Sequence, residues 1–438
     1  MNTKPILFVV FCLGILGAFV GCGGSDVPPD GSIAGGNVIA QPGPDAPNVV
    51  EVMVDKGVGT SPYINGVFVT LKVCIPGSTA ADQCQTIDHV LVDTGSVGLR
   101  LLPNGANEGG ELALSLPGIS ASSGMLAECM PFMSSATWGM IGEADLYIAG
   151  EVAKNLPFQF IGTDYAGAVP ATCTGSPNND ISTLGANGIL GVGPQTHDCG
   201  DGCAATSNNY GWYYTCSSSA GTITCGQVAV DLAYQVANPV GMFGTDKNGT
   251  ILELPSLDWQ GDWKATGSLV FGINTQPNNQ LGNSLYIATD ACAKFTTYYD
   301  QGIYPNSFID SGSNATYFLD DTLVYTAGLQ TCQLGSAYFY CTTSGSTMPV
   351  NLKANNAVKS GQNSLVSFGI ADASALMSTG GYAFNDFGGP LVTSIACGST
   401  IPGGPAFDWG LPFFFGRNVY TGLEDPNQPG TGIFFAYN

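Results

Sequence analysis

The sequence predicts a mainly β protein built as two lobes that repeat one another. Three observations predict it. At 438 residues the chain is too long for one ordinary core. Its apolar residues alternate in short runs broken by Gly, Pro and Asp, the language of strands and hairpins. One pair of motifs also occurs twice, in the same order, in the two halves of the chain.

At the N-terminus, Met-Asn-Thr-Lys precedes an apolar run from Pro5 to Val20 and then Gly21-Cys22-Gly23-Gly24. A membrane-spanning helix needs about 20 apolar residues with stop-transfer flanks. The shorter run therefore reads as a signal peptide over 1–21. Phe19-Val20-Gly21-Cys22 resembles the lipobox of bacterial lipoproteins. That resemblance implies lipid on Cys22, a membrane contact through the anchor, and a place in the cell envelope. Gly23 after the Cys implies the outer membrane, facing the periplasm or cell surface. Residues 22–48 lack apolar periodicity and read as a flexible Gly/Pro tether.

The N-terminal lobe is expected over 49–255. Val67, Val69, Leu71 and Val73 alternate, followed by Ile87, Val90, Val92 and Leu99-Arg100-Leu101. Further strands are expected at 144–149 and 158–161, and in a C-terminal lobe over 256–438 at 267–273, 306–309 and 412–415. Helical periodicity is rare, and 228–236 is its best candidate.

Composition narrows the partners. Eleven Lys plus Arg against 33 Asp plus Glu give a net charge of −22, so the chain cannot assemble the basic face that nucleic acid requires. Setting aside Cys12 in the signal and Cys22, twelve of the 14 cysteines remain. An even number in an oxidising compartment implies up to six disulfides. Cys74 with Cys84, Cys199 with Cys203, Cys216 with Cys225 and Cys332 with Cys341 are the short closures. His197 beside Cys199-x3-Cys203 is the one local zinc candidate, but no second ligand pair stands near it. No metal and no cofactor are expected.

The repeat carries the chemistry. Val90-Leu91-Val92-Asp93-Thr94-Gly95-Ser96 and Ser307-Phe308-Ile309-Asp310-Ser311-Gly312-Ser313 each run an apolar strand into Asp-Thr/Ser-Gly-Ser. Gly188-Ile189-Leu190-Gly191 ends 98 residues after Asp93, and Phe413-Phe414-Phe415-Gly416 ends 106 after Asp310. An Asp at a strand end followed by Gly makes a tight loop that a second such loop can approach closely, because Gly has no side chain to clash. Two like charges about 3 Å apart cannot both be ionised, so such a pair shares one proton. The ionised member can then activate a water while the protonated one polarises a carbonyl.

These motifs resemble the pepsin-like aspartic peptidases, and the resemblance covers nearly all of 63–438; it implies a mainly β, bilobal double-domain β-barrel with the active-site cleft between the lobes. Tyr63-Ile64-Asn65-Gly66-Val67 leading into Asp93 is similar to the family's first active-site region. Gly188-Ile189-Leu190-Gly191-Val192-Gly193 resembles the strand crossing beneath it, and Phe415-Gly416 its counterpart in the second lobe. The resemblance implies Asp93 and Asp310 as a catalytic pair acting on a peptide or protein substrate. Thr94 and Ser311 would exchange bonds between the loops, Gly95 and Gly312 would allow their approach, and Ser96 and Ser313 would bond the outer carboxylate oxygens. The cysteines, the lipobox and Thr137-Trp138-Gly139 further resemble an uncharacterised family of bacterial lipoproteins.

There are departures. The family carries a Tyr on a flap over the cleft and a supporting Trp seven residues after the first Asp. Here the supporting position is Arg100, and the expected flap, 132–145, offers Trp138. Trp138 reads equally as flap or core, and Arg100 equally as a cleft residue or a solvated strand end. His89 reads as a strand residue near the first loop, and no G-x-S-x-G accompanies the two histidines. Two functions are therefore weighed: an aspartic endopeptidase, and a peptide-binding or envelope-assembly lipoprotein that uses the cleft without cleavage.

Overall fold

The computed structural model describes residues 37–438 apart from 104–111, 122–123, 134, 163–165, 208, 319–323, 325–326, 336, 359–362, 392–393, 396–401, 426 and 428–431. The signal peptide and Cys22 lie outside the described residues. Among those described, no helix is long and apolar enough to cross a membrane.

Strand Gly66–Cys74 shows how alternation builds the first lobe. Val67, Val69, Leu71 and Val73 are buried on one face, while Thr70 and Lys72 point out. It pairs antiparallel with Cys84–Asp93, and the Cys74–Cys84 disulfide closes the far end of the pair. A long hairpin of Gly124–Pro131 and Ser135–Ile148 then rises over the first Asp loop.

The two lobes share one six-stranded antiparallel sheet. Its order is Val49–Asp55, Ala265–Phe271, Gly249–Glu253, Asn418–Gly422, Phe434–Tyr437 and Leu285–Ala288. Val49–Asp55 also pairs with Gly66–Cys74, so this sheet runs on into the first lobe. Among the described residues the second lobe is built on a seven-stranded sheet containing Phe295–Tyr299 and Gly302–Ile309, beside two two-stranded ladders.

Each Asp loop is braced by a crossing strand. Gly188–Val192 lies parallel to Cys84–Asp93 and antiparallel to Val97–Leu101. In the second lobe Asp408–Trp409 lies parallel to Gly302–Ile309 and antiparallel to Thr316–Tyr317. This corrects the expected crossing at 412–416. Leu411–Phe414 is a 3-10 turn, and Pro412 has no N–H for a sheet ladder. The true partner of Gly191 is Gly410, 100 residues after Asp310.

Two other expectations change. Residues 228–236 contain only the 3-10 turn Leu232–Tyr234; Leu232 and Tyr234 are exposed, and the Val236 N–H donates to the Tyr213 hydroxyl. No apolar helical face forms there to be buried. Residues 37–48, expected in the tether, lie against the shared sheet instead. The Ala40 N–H donates to Glu253 Oε2 at 2.6 Å, and Asn37 donates to the Arg417 carbonyl at 2.9 Å. Besides the four short closures, all of which form, Cys129 pairs with Cys173 across 44 residues. Cys199 and Cys203 are thus joined to each other.

Asn65 ties the lobes together. Its Nδ2 donates to the carbonyls of Asn314 and Phe384, each at 2.9 Å, and its Oδ1 accepts from the Phe384 N–H at 2.7 Å. Its backbone has φ 53°, a left-handed conformation that Asn tolerates better than Ala does. Asn65→Ala is expected to destabilise the protein by about 3 kcal/mol, from three buried hydrogen bonds and the strained backbone. Asn65→Gly should recover about 1 kcal/mol of that. Urea unfolding of both variants checks the order.

Candidate active site

The two Asp loops meet at the floor of the cleft. The Thr94 N–H donates to Ser311 Oγ at 3.1 Å, and the Ser311 N–H donates to Thr94 Oγ1 at 2.9 Å. Ser311 Oγ in turn donates to the Val92 carbonyl at 2.7 Å. Each loop also orients its own carboxyl in the same way. The Gly95 N–H donates to Asp93 Oδ1 and the Gly312 N–H to Asp310 Oδ1, both at 2.8 Å. Ser96 Oγ donates to Asp93 Oδ2 at 2.5 Å, and Ser313 Oγ lies 3.0 Å from Asp310 Oδ2.

Why glycine follows the hydroxyl residue is plain from the spacing. A Cβ on Gly95 would stand 2.4 Å from Asp310 Cγ, and one on Gly312 would stand 2.6 Å from Asp93 Oδ1. The two carboxyls thus face one another across the loop contact. Burial, then the charges of Asp93 and Asp408, hold Asp310 well above the ordinary carboxylate range. The pair can therefore keep a proton where an exposed carboxyl would have lost it.

The cleft above has a volume of about 360 Å³ and is walled by Tyr63, Met130, Phe132, Met133, Lys294 and Phe308. That volume falls within the range typical of ligand pockets. Tyr63 stands close enough to both aspartates that burial and their charges raise its phenol. Phe132 and Met133 form the tip of the long hairpin, where the Phe132 N–H donates to the Ser135 carbonyl.

Trp138 is a core residue. It is 1% exposed, lies down the hairpin from the tip, and donates its indole N–H to the Gly167 carbonyl at 2.9 Å. Arg100 is not a solvated strand end, because it is 0% exposed between Glu128 at 3.2 Å and Asp198 at 3.0 Å. Glu128 belongs to the strand that climbs to the hairpin tip, so Arg100 braces that hairpin from below. Burial and Asp198, working against Arg100, raise the Glu128 carboxyl. His89 lies at the strand bulge between Asp88 and Asp55, away from the pair.

No local motif marks Tyr63, Phe132, Lys294 or Asp408 as a site residue. Asp408 had one available signal, the near-equal spacing of Asp93 to Gly191 and of Asp310 to Gly410.

The sequence matches a family profile over residues 44–437, described as protein of unknown function (DUF3443). The chain belongs to that family. No curated protein matches it. Among solved structures, the aspartic proteinase from Irpex lacteus is similar at 15% identity, over 89% of this chain and 96% of that one, with a TM-score of 0.48.

If the loops touch as described, Gly95→Ala and Gly312→Ala must force them apart. Each variant should lose about 1–3 kcal/mol by overpacking. Asp310 should also titrate closer to an ordinary aspartate, as its neighbour recedes. Urea unfolding and carboxyl carbon NMR across pH test both consequences.

Proposed function

We propose that this protein is an aspartic endopeptidase in which Asp93 and Asp310 share a proton and activate a water against a peptide bond. The observation that carries the reading is the reciprocal bonding of the two Asp-Thr/Ser-Gly-Ser loops, which leaves both carboxyls facing one cleft. The ionised carboxylate takes a proton from the water while the protonated partner hydrogen-bonds the scissile carbonyl. The tetrahedral intermediate then collapses as the proton passes to the leaving amine. Apolar walls at Met130, Phe132 and Phe308 favour an extended peptide with apolar side chains beside the cut bond.

Asp93→Asn and Asp310→Asn keep the shape of each loop and remove its carboxylate. The two single variants and the double variant should be about equally inactive, because the pair acts as a unit. A statine-type compound, whose hydroxyl imitates the intermediate, should compete with substrate. Cleavage of a diverse peptide mixture from acid to neutral pH, read by mass spectrometry of new termini, tests this; thermal melts confirm folding. Robust cleavage by a folded double variant would remove these aspartates from the mechanism.

One observation favours a second reading, a peptide-binding or envelope-assembly lipoprotein. The hairpin tip presents Phe132 and Met133 to the cleft where the peptidases have a phenol. Peptide binding without cleavage at any pH would decide for it.

The disulfides suit an oxidising compartment outside the cytoplasm. Within it, we place the chain on the outer membrane through lipidated Cys22. Cys22→Ala should abolish metabolic palmitate labelling and membrane retention, and continued labelling of that variant would overturn the anchor.

A further inference from the structure

The two halves of the site differ at one buried station. In the first lobe Ile189 of the crossing strand stands opposite Leu91, two residues before Asp93. In the second lobe the residue opposite Phe308, two before Asp310, is Asp408. An apolar side chain on one side is thus a carboxyl on the other, 2% exposed.

Its bonds define its state. Ser313 Oγ lies 2.6 Å from Asp408 Oδ2 and 3.0 Å from Asp310 Oδ2. A serine hydroxyl has one hydrogen to give, and a carboxylate can only accept. Both contacts are satisfied only if one of the two carboxyls is protonated and donates to Ser313. Geometry favours Asp408 as the holder: its Oδ1 is buried with no hydrogen-bond partner, whereas Asp310 Oδ1 accepts the Gly312 N–H, so an ionised carboxylate costs less at Asp310. The chain of donors then runs from Asp408 through Ser313 to Asp310. Burial, opposed by Ser313 and Lys294, puts the Asp408 carboxyl at about 8.

We propose that Asp408 is a positioning residue of this site: its protonated carboxyl fixes the Ser313 hydroxyl onto Asp310, and its later ionisation carries activity to higher pH. The proposal rests on the peptidase reading of the Asp93–Asp310 pair. The charged and titratable groups around it are Asp93 and Asp310 on the two loops, Lys294 ahead of Phe295–Tyr299, Tyr317 on the neighbouring strand, and Tyr63 across the cleft. Lys294 sits 3.7 Å above the Phe308 ring and is lowered by burial against the pull of Asp408, Asp310 and Asp290. The sign follows from like charge. When Asp408 loses its proton, the new anion one hydroxyl away makes the pair's proton harder to remove, so the alkaline limb of activity comes later.

Two substitutions separate positioning from charge. Asp408→Asn retains an N–H that can donate to Ser313 but never ionises. Asp408→Ile copies the first lobe and removes both functions. The alkaline limb of kcat/KM should fall by about one pH unit in both variants. Turnover at acid pH should stay within about twofold of wild type in Asp408→Asn and drop several-fold in Asp408→Ile, as the Ser313 hydroxyl loses its partner. An unchanged alkaline limb in folded variants overturns the proposal.

The infrared carbonyl band of buried protonated carboxyls, measured on the intact chain near neutral pH, needs no activity. It should weaken in Asp408→Asn, and a band of unchanged strength also overturns the proposal. If the wild type cleaves nothing, the peptidase reading falls separately, and the infrared result alone decides whether Asp408 holds the proton.

Discussion

Two carboxyl groups pressed together at the junction of two lobes are the constraint on which the rest of the molecule depends. Like charges at that separation repel strongly in a partly dry site, so the contact persists only with a proton between them and a scaffold that prevents retreat. The scaffold is built in layers. Gly95 and Gly312 permit the approach, Thr94 and Ser311 lock the loops to each other, and a crossing strand braces each loop from behind. Behind these, one antiparallel sheet draws strands from Val49 to Tyr437, so neither lobe can shift without disturbing a shared ladder.

The cleft roof follows different rules from the floor. Its hairpin is braced by a fully buried Arg100 between two carboxylates, with Tyr213 bonded to Asp198 at 2.9 Å. A buried guanidinium of this kind is stable only while paired, which ties the hairpin's base to the loop that carries Asp198. The tip itself is apolar, with Phe132 and Met133 lining the cleft beneath it.

Pseudosymmetry explains the loops and also marks where the two halves part. Both Asp loops repeat bond for bond down to the serine hydroxyls, yet Ser96 serves one carboxyl and Ser313 serves two. The duplicated backbone thus carries an unequal electrostatic load. Burial of a second carboxyl on the Asp310 side, near Lys294, gives that half of the site an extra titratable group.

The sequence by itself determined the strand-rich class, the duplicated lobe and both Asp loops, and it pointed to four short disulfide closures without fixing their pairing. Each of these is written locally: alternation at Val67 to Val73, Asp-Thr-Gly-Ser and Asp-Ser-Gly-Ser, and cysteines nine or ten residues apart across a hairpin, or four apart on one turn. Only the tertiary structure decided Trp138, Arg100, the second crossing strand and Asp408. Burial of Trp138 and Arg100 depends on which side of a strand meets the core, and Arg100 finds Glu128 and Asp198 at 28 and 98 residues' distance. The aromatic run at 413–415 reads as a strand because periodicity cannot tell a buried turn from a buried strand. Asp408 meets Ser313 across 95 residues, and a contact of that span is set by packing of the whole lobe, which no local pattern records.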